Sequence, residues 1–251
     1  MEQIIGKEIV HLKVTDSTNN YANHKLRLQS VPEGTVFLAY EQSSGRGQKN
    51  NFWESDAGKN LTFSIVLYPE FLKIQSQFLL SKVVSLGIHS ALIKYFDQIH
   101  IKWPNDMYAG KMKLAGILIE NSIMGGTIKT SVIGIGLNVN QTVFLSDAPN
   151  PTSLKLLTNK HYDCDKILNE LLAGIDYYYK LLSFGEHDKI DEEYSSLLFR
   201  MNEMHNFKTG TSVFQGEIIG VNEIGQLLIQ KIDGEILEFH FKEVEFVLES
   251  Q

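Results

Sequence analysis

The sequence predicts an α+β fold: a mixed β-sheet covered by helices over residues 1–206, followed by a small C-terminal β barrel over residues 207–251. Two changes of texture carry this reading. Up to about Phe199, short β-branched apolar runs are interspersed with segments of helical period. Beyond about Phe207 nearly everything alternates with period two, punctuated by Gly210, Gly216, Gly220, Gly225 and the hairpin signal Asp233-Gly234. The length of 251 residues also exceeds that of a usual single domain. A module of roughly 45 residues has too little interior to be very stable alone and is expected to lean on the larger domain.

Taken in order, Glu8 to Val14 alternates as a strand, and Asp16-Ser17-Thr18 offers capping side chains for a short helix running towards Leu28. Val36 to Tyr40 and Leu61 to Leu67 read as buried strands, joined by a loop longer than compact domains usually allow without a function. Apolar residues from Gln75 to Phe96 recur at helical spacing and predict one long amphipathic helix over a sheet face. Ile99-His100-Ile101 is a short strand entering a Trp103-Pro104 turn, and His89 and His100 are read as structural. Lys113 to Glu120 and Thr127 to Asn138 follow as strands, with a hairpin around Met124-Gly125-Gly126. Pro149 and Pro151 mark a loop leading to helices at Asp165 to Leu182 and Ile190 to Phe199. No internal repeat or low-complexity segment interrupts this layout.

Composition narrows the function classes. Thirty acidic against 23 basic residues give a formal charge of −7, which argues against a broad nucleic-acid footprint. The single cysteine, Cys164, excludes an internal disulfide and multi-cysteine zinc sites. No apolar run approaches the roughly 20 residues needed to span a bilayer, and no leader opens the chain, so a soluble cytoplasmic protein is expected.

Two segments concentrate chemistry. In Lys102-Trp103-Pro104-Asn105-Asp106, followed by Lys113-Leu114-Ala115-Gly116-Ile117-Leu118-Ile119-Glu120, two lysines, an amide and a carboxylate surround a rigid turn. Proline fixes its own backbone and restricts Trp103, which sets the direction of Asn105 and Asp106. The plainer alternative is an ordinary turn with Trp103 in the core. Lys113 enters an otherwise apolar strand and must snorkel or meet an anion, for which Ala115 and Gly116 leave room. The second segment runs from Gln42 through Gly45-Arg46-Gly47 to Trp53. Glycines beside Arg46 let backbone amides approach a ligand while the guanidinium forks onto a carboxylate or phosphate; a flexible surface turn is the alternative. Ser17-Thr18-Asn19 either caps a helix or recognises a compact polar head group, and Asn138 ends a buried strand in a turn or against a nucleotide edge. There is no phosphate loop, dinucleotide fingerprint or nucleophile triad, so any activation is expected to be electrostatic. Together the segments suggest a site for a nucleotide and a carboxylate.

On these residues the chain resembles the biotin protein ligases, the biotin-acetyl-CoA-carboxylase ligases, in their monofunctional form. The motifs Ser17-Thr18-Asn19, Gln42, Gly45-Arg46-Gly47, Trp53, Lys102 to Asp106, Lys113 to Leu118 and Gly136-Leu137-Asn138 occur in family order and spacing. The resemblance implies a class II synthetase-like biotin/lipoate ligase fold with an SH3-like C-terminal barrel. It implies ATP and biotin as substrates with Mg²⁺, biotinyl-5′-adenylate as intermediate, and transfer to a lysine of a biotin carboxyl carrier protein of a biotin-dependent carboxylase. Catalysis then falls to Lys113, Arg46 and Asp106, with Asp106 also a contact for Mg²⁺. Biotin falls to Ser17, Thr18, Asn19, Gln42, Arg46, Gly47, Gln48, Lys113 and Gly116. ATP falls to Arg46, Trp53, Asn105, Asp106, Lys113 and Asn138.

The chain departs from the pattern in two places. The family loop usually continues past Gly-Arg-Gly with further basic residues, whereas here Gln48-Lys49-Asn50-Asn51 carries one, so looser retention of the adenylate is expected, partly compensated by Lys49. Ser17 lies too near the start for a DNA-binding segment to precede it, and no repressor activity is expected. A lipoate or octanoate ligase or transferase of the same fold is the nearest alternative, and a non-catalytic biotin-binding protein the next. The sequence leaves monomer and homodimer open.

Overall fold

The computed structural model describes residues 2–48, 51–146 and 150–247; Lys49, Asn50 and Pro149, which figure in the sequence reading, lie outside them. Seven strands form the first sheet: β1 (Ile9–Thr15), β2 (Val36–Gln42), β3 (Leu61–Leu67), β4 (Ile99–Lys102), β5 (Asp106–Ala109), β6 (Met112–Met124) and β7 (Thr127–Leu137). Their order is β1-β2-β3-β7-β6-β5-β4, with β1 parallel to β2 and every other pairing antiparallel, so the sheet is mixed as the sequence predicts. β3 is buried at every position, as expected for a strand in the middle of a covered sheet.

Helices α1 (Thr18–Leu28), α2 (Phe78–Leu92), α3 (Leu154–Thr158), α4 (Cys164–Ser183) and α5 (His187–Ser196) accompany the sheet. The expected long amphipathic helix from Gln75 to Phe96 is shorter, preceded by a 3₁₀ turn at Ile74–Ser76, and it is buried nearly all round. The cause is a second layer. α4 lies across α2, where a Cβ on Gly87 would meet the Ile175 backbone nitrogen at 2.6 Å and one on Gly174 would meet the Gly87 carbonyl at 2.4 Å. Two glycines thus let the helices touch backbone to backbone, and α2 acquires apolar neighbours on both sides. β5 and α3 are additional elements that the sequence reading left inside a turn and a loop.

The C-terminal module is a five-stranded antiparallel sheet of β8 (Met204–Thr209), β9 (Ser212–Val221), β10 (Leu227–Lys231), β11 (Ile236–Phe239) and β12 (Glu245–Phe246), in the order β11-β10-β9-β8-β12. Phe207, Ile218, Leu227, Ile229 and Phe239 belong to the same apolar cluster as the interior of the first sheet. The module therefore leans on the larger layer, with the Gly225 turn set so closely against Phe78 that a Cβ there would lie 2.6 Å from the ring. Among the described residues no helix is long and apolar enough to cross a membrane.

Candidate functional site

The first turn of α1, the loop after β2, the Trp103-Pro104 turn, the middle of β6 and β7 and the approach to β12 enclose a cleft of about 970 Å³. Ser17, Thr18, Asn19, Gln42, Arg46, Gly47, Gln48, Trp53, Asn105, Asp106, Lys113, Gly116 and Asn138 all line it. The structure thus gathers into one space every residue to which the sequence reading gave a catalytic, biotin or ATP role.

At one end the polar groups hold one another. Ser17 occupies the N-cap position of α1, yet its side chain makes no capping hydrogen bond, so the simple cap reading is not what the structure uses. The Thr18 amide donates to Gln42 Oε1 at 2.8 Å. Ser64 on β3, fully buried, lies 2.7 Å from both Thr18 Oγ1 and Asn19 Oδ1. Asn19 Nδ2 in turn donates to Glu120 Oε2 at 2.9 Å. Gly134 of β7 permits this approach, because a Cβ there would stand 2.4 Å from Asn19 Oδ1. Ser64 and Gly134 were not picked out from the sequence; only their place on adjacent strands, where they are register partners, brings them to α1.

The loop after β2 folds as a crossing. Arg46 bridges Phe52 in antiparallel fashion, the Trp53 amide donates to Gly45 O at 2.8 Å, and the Gly47 amide donates to Asn51 O at 2.7 Å. A Cβ on Gly45 would meet Trp53 O at 2.3 Å, so this glycine is required by the close backbone approach. The crossing lays the Trp53 indole over Gly116 and Gly136, paired residues of β6 and β7, where added Cβ atoms would come within 3.1 and 2.3 Å of it. Its Nε1 is buried and has no hydrogen-bond partner among the described residues. Next to it, Glu54 accepts from the Leu145 and Ser146 amides at 2.9 and 2.7 Å and from Gln141 Nε2 at 3.2 Å. Burial works against its charge, but these bonds prevail and hold the carboxyl below its usual range.

Charges are also paired with charges, beginning at the same Glu120 that holds Asn19. Arg46 reaches Glu120 Oε1 at 2.8 Å and Asn20 Oδ1 at 2.6 Å. Lys113 Nζ lies 2.8 Å from Asp106 Oδ1 and 5.7 Å from the Trp53 ring centroid. Glu120 closed the quoted motif without being assigned a role, and its signal was a carboxylate ending an apolar strand. Trp103 joins its proline through a cis peptide, is buried, and donates from Nε1 to Gly225 O of the C-terminal module at 2.9 Å. Asn105 is tied to β6 by Nδ2 donating to Ile117 O at 2.7 Å and by its carbonyl accepting from the Ile117 amide at 2.9 Å. Asn138 donates from Nδ2 to Thr152 O at 2.9 Å, while its Oδ1 is buried and has no partner among the described residues. Lys102 stands over the Tyr108 and Phe246 rings at 5.2 and 4.6 Å, and burial pushes its ammonium below the usual lysine range.

The profile of the biotin/lipoate A/B protein ligase family matches residues 11–138. The chain belongs to this family. It is 28% identical over 240 residues to the bifunctional ligase/repressor BirA of Bacillus spizizenii, covering 92% of this chain and 72% of that one. It is 29% identical over 224 residues to a biotin-acetyl-CoA-carboxylase ligase of Paracoccus denitrificans, covering 86% and 91%. The biotin protein ligase of Aquifex aeolicus, solved in complex with biotin and ATP, superposes with a TM-score of 0.79 at 27% identity, covering 96% of this chain and all of that one.

The matched ligase-family segment contains every cleft residue named above from Ser17 to Asn138. Phe241, Val244 and Phe246 reach the cleft from beyond it, on the C-terminal module. Among the described residues no group of three His, Cys, Asp or Glu side chains could enclose a metal ion. Asp106 is a single carboxylate beside Lys113, a donor set that fits an ion carried chiefly by nucleotide phosphates rather than one held in a protein cage.

Proposed function

We propose that the protein is an ATP-dependent biotin ligase that forms biotinyl-5′-adenylate and transfers the biotinyl group to a lysine of a biotin carboxyl carrier protein, without acting as a repressor. The observation that carries this reading is that a hydrogen-bonded polar cluster and carboxylate-held cations line one cleft over the glycine floor under Trp53. In this reading the division of labour follows the chain, with recognition and chemistry in residues 1–206 and an appended domain of residues 207–251 closing the nucleotide end.

In the first half-reaction a biotin carboxylate oxygen bonds to the α-phosphorus of ATP and the bond to pyrophosphate breaks. Two anions must approach, so preorganised positive charge is the main requirement. Arg46 exchanges Glu120 for the carboxylate, and Lys113 exchanges Asp106 for the carboxylate and the α-phosphoryl oxygens. Ser17, Thr18, Asn19 and Gln42 present hydroxyl and amide groups to the ureido head, with Gly47, Gln48 and Gly116 beside the bound molecule. Trp53 and Asn138 serve the adenosine part, the free Oδ1 of Asn138 accepting from an amino group, and Asn105 holds the turn that presents Asp106. Asp106 is the residue that would contact Mg²⁺, which would screen the polyphosphate charge. In the second half-reaction the carrier lysine amine attacks the acyl carbon, AMP leaves with the bonding pair, and the amine proton is released.

The test is to incubate the protein with biotin, ATP, Mg²⁺ and a purified carrier domain and to map the modified residue by mass spectrometry. Biotin in amide linkage on one carrier lysine is the expected product. Lipoyl or octanoyl product in parallel reactions, with none from biotin, would assign the chain to the sister activities of the same fold.

A further inference from the structure

Glu120 is shared between two parties, and its two oxygens divide them. Oε1 accepts from Arg46 Nη2 at 2.8 Å. Oε2 accepts from Asn19 Nδ2 at 2.9 Å and from Asn23 Nδ2 at 3.1 Å, while Arg46 Nη1 stands farther off at 3.5 Å. The arginine belongs to the loop after β2, whereas both amides belong to α1. Spaced as i and i+4, they lie on one face of that helix and present a fixed pair of donors to a single oxygen.

The division matters because Arg46 has to leave. On the proposed function its guanidinium turns from Glu120 to the substrate carboxylate, and a carboxylate left behind without donors would pull the cation back. Two amide donors change that balance: they stabilise Glu120 whether or not Arg46 is present, and they count for more once it has gone. Asn19 has other work, since its Oδ1 lies 2.7 Å from the Ser64 hydroxyl and its Nδ2 lies 3.3 Å from Leu118 O. Asn23 differs. Among the described residues its side chain makes one hydrogen bond, to Glu120, and it does not line the cleft.

We infer that Asn23 is a positioning residue of the ligation site: from outside the cleft it keeps Glu120 satisfied while Arg46 turns to a substrate carboxylate, and so sets how readily Arg46 is released. The inference deepens the proposed function and rests on it for the identity of that carboxylate. Asn23 touches no substrate. It acts through Glu120, whose hold on Arg46 slackens as α1 takes up more of the carboxylate's hydrogen-bonding capacity.

The test reads Arg46 directly. Phenylglyoxal modifies arginine guanidinium groups, and its rate at Arg46 is followed by mass spectrometry in the empty full chain, in Asn23→Leu, in Glu120→Gln and in the double variant. Leucine shares the γ-branch of asparagine and removes the donor; Asn23→Ala, which removes it without the branch, should behave alike. The expected result is modification slowed about threefold in Asn23→Leu, because Arg46 is held harder, and no effect of the same substitution on the Glu120→Gln background, where no charge is left to hold it. Biotin affinity measured by calorimetry should follow, weakening about threefold in Asn23→Leu and not at all between Glu120→Gln and the double variant. Unchanged Arg46 reactivity in Asn23→Leu, or a loss of biotin affinity that persists undiminished on the Glu120→Gln background, would make Asn23 a structural residue of α1 and overturn the inference. The expected pattern at Arg46 in a chain that neither binds nor activates biotin would instead leave the inference standing and remove the biotin reading.

Discussion

Two clusters of polar groups in the cleft are built on different principles. Around Ser64 the polar atoms of Thr18 and Asn19 are buried and satisfied by neighbours that strand register fixes in place. Around Arg46 and Lys113 each cation instead rests on a carboxylate, with side chains 40 and 29% exposed in the Arg46–Glu120 pair and 24 and 15% in the Lys113–Asp106 pair. Partly exposed pairs of this kind contribute only about 0–1 kcal/mol, because water and salt compete for both charges. On the proposed function, a neutral head group meets a rigid, preassembled surface, whereas an arriving anion meets cations that exchange partners at small cost. Glu120 and Asp106 also hold Arg46 and Lys113 in place before any substrate anion is present.

That contrast can be broken from either end. The largest effect is expected for Lys113→Ala. If Lys113 acts as proposed, losing its charge should slow single-turnover adenylate formation by about 10²–10³-fold, while calorimetric biotin binding falls far less. Equal losses in binding and chemistry would place Lys113 with recognition. Next in size is Gly136→Ala, whose new methyl group would lie 2.3 Å from the Trp53 indole. Overpacking of this kind costs about 1–3 kcal/mol, so a lower Tm is expected together with a shift in tryptophan emission that disappears in a Trp53→Phe background. An unchanged emission spectrum would mean that the indole does not rest on the glycine floor in solution.

Ser64→Ala should be comparable or smaller. It strips hydrogen bonds from the buried Thr18 and Asn19 oxygens at a cost of about 1–3 kcal/mol, and biotin affinity should fall with Tm while the adenylation rate at saturating biotin holds. The smallest effect is expected for Glu120→Gln, where the ion pair is worth about 1 kcal/mol or less, Arg46 keeps Asn20 as a partner, and the amide oxygen that remains can still accept from Asn19 and Asn23. Its signature is a weakened salt dependence of biotin binding rather than a large loss of stability. An unchanged salt dependence would show that the exchange of partners is not how the site works.

The sequence disclosed what short-range chemistry determines. The contiguous motifs, the hairpin at Gly125 and Gly126 with their positive φ values of 62° and 85°, and the change to period two near Phe207 are local statements, and the corresponding elements formed. What stayed hidden depends on which strand lies beside which. Ser64 reaches α1 through its place on β3, Glu120 reaches Arg46 from the far part of β6, and Lys102 meets Phe246 across 144 residues of chain. The four-residue strand β5 is too short for a periodic signal, and the all-round burial of α2 depends on a helix crossing at Gly87 and Gly174 that no local window contains. Gly45-Arg46-Gly47 marks the boundary between the two. Its glycines were legible as permissive backbone, but only the crossing strand at Trp53 shows that Gly45 is required.

The central claim, that one cleft activates biotin on ATP, is tested most directly by biotin-dependent exchange of labelled pyrophosphate into ATP with Mg²⁺ present and no carrier protein. The account predicts exchange with biotin, none without it, and none when lipoate or octanoate replaces it. Exchange supported by lipoate or octanoate but not by biotin, or measurable biotin binding with no exchange at all, would contradict it.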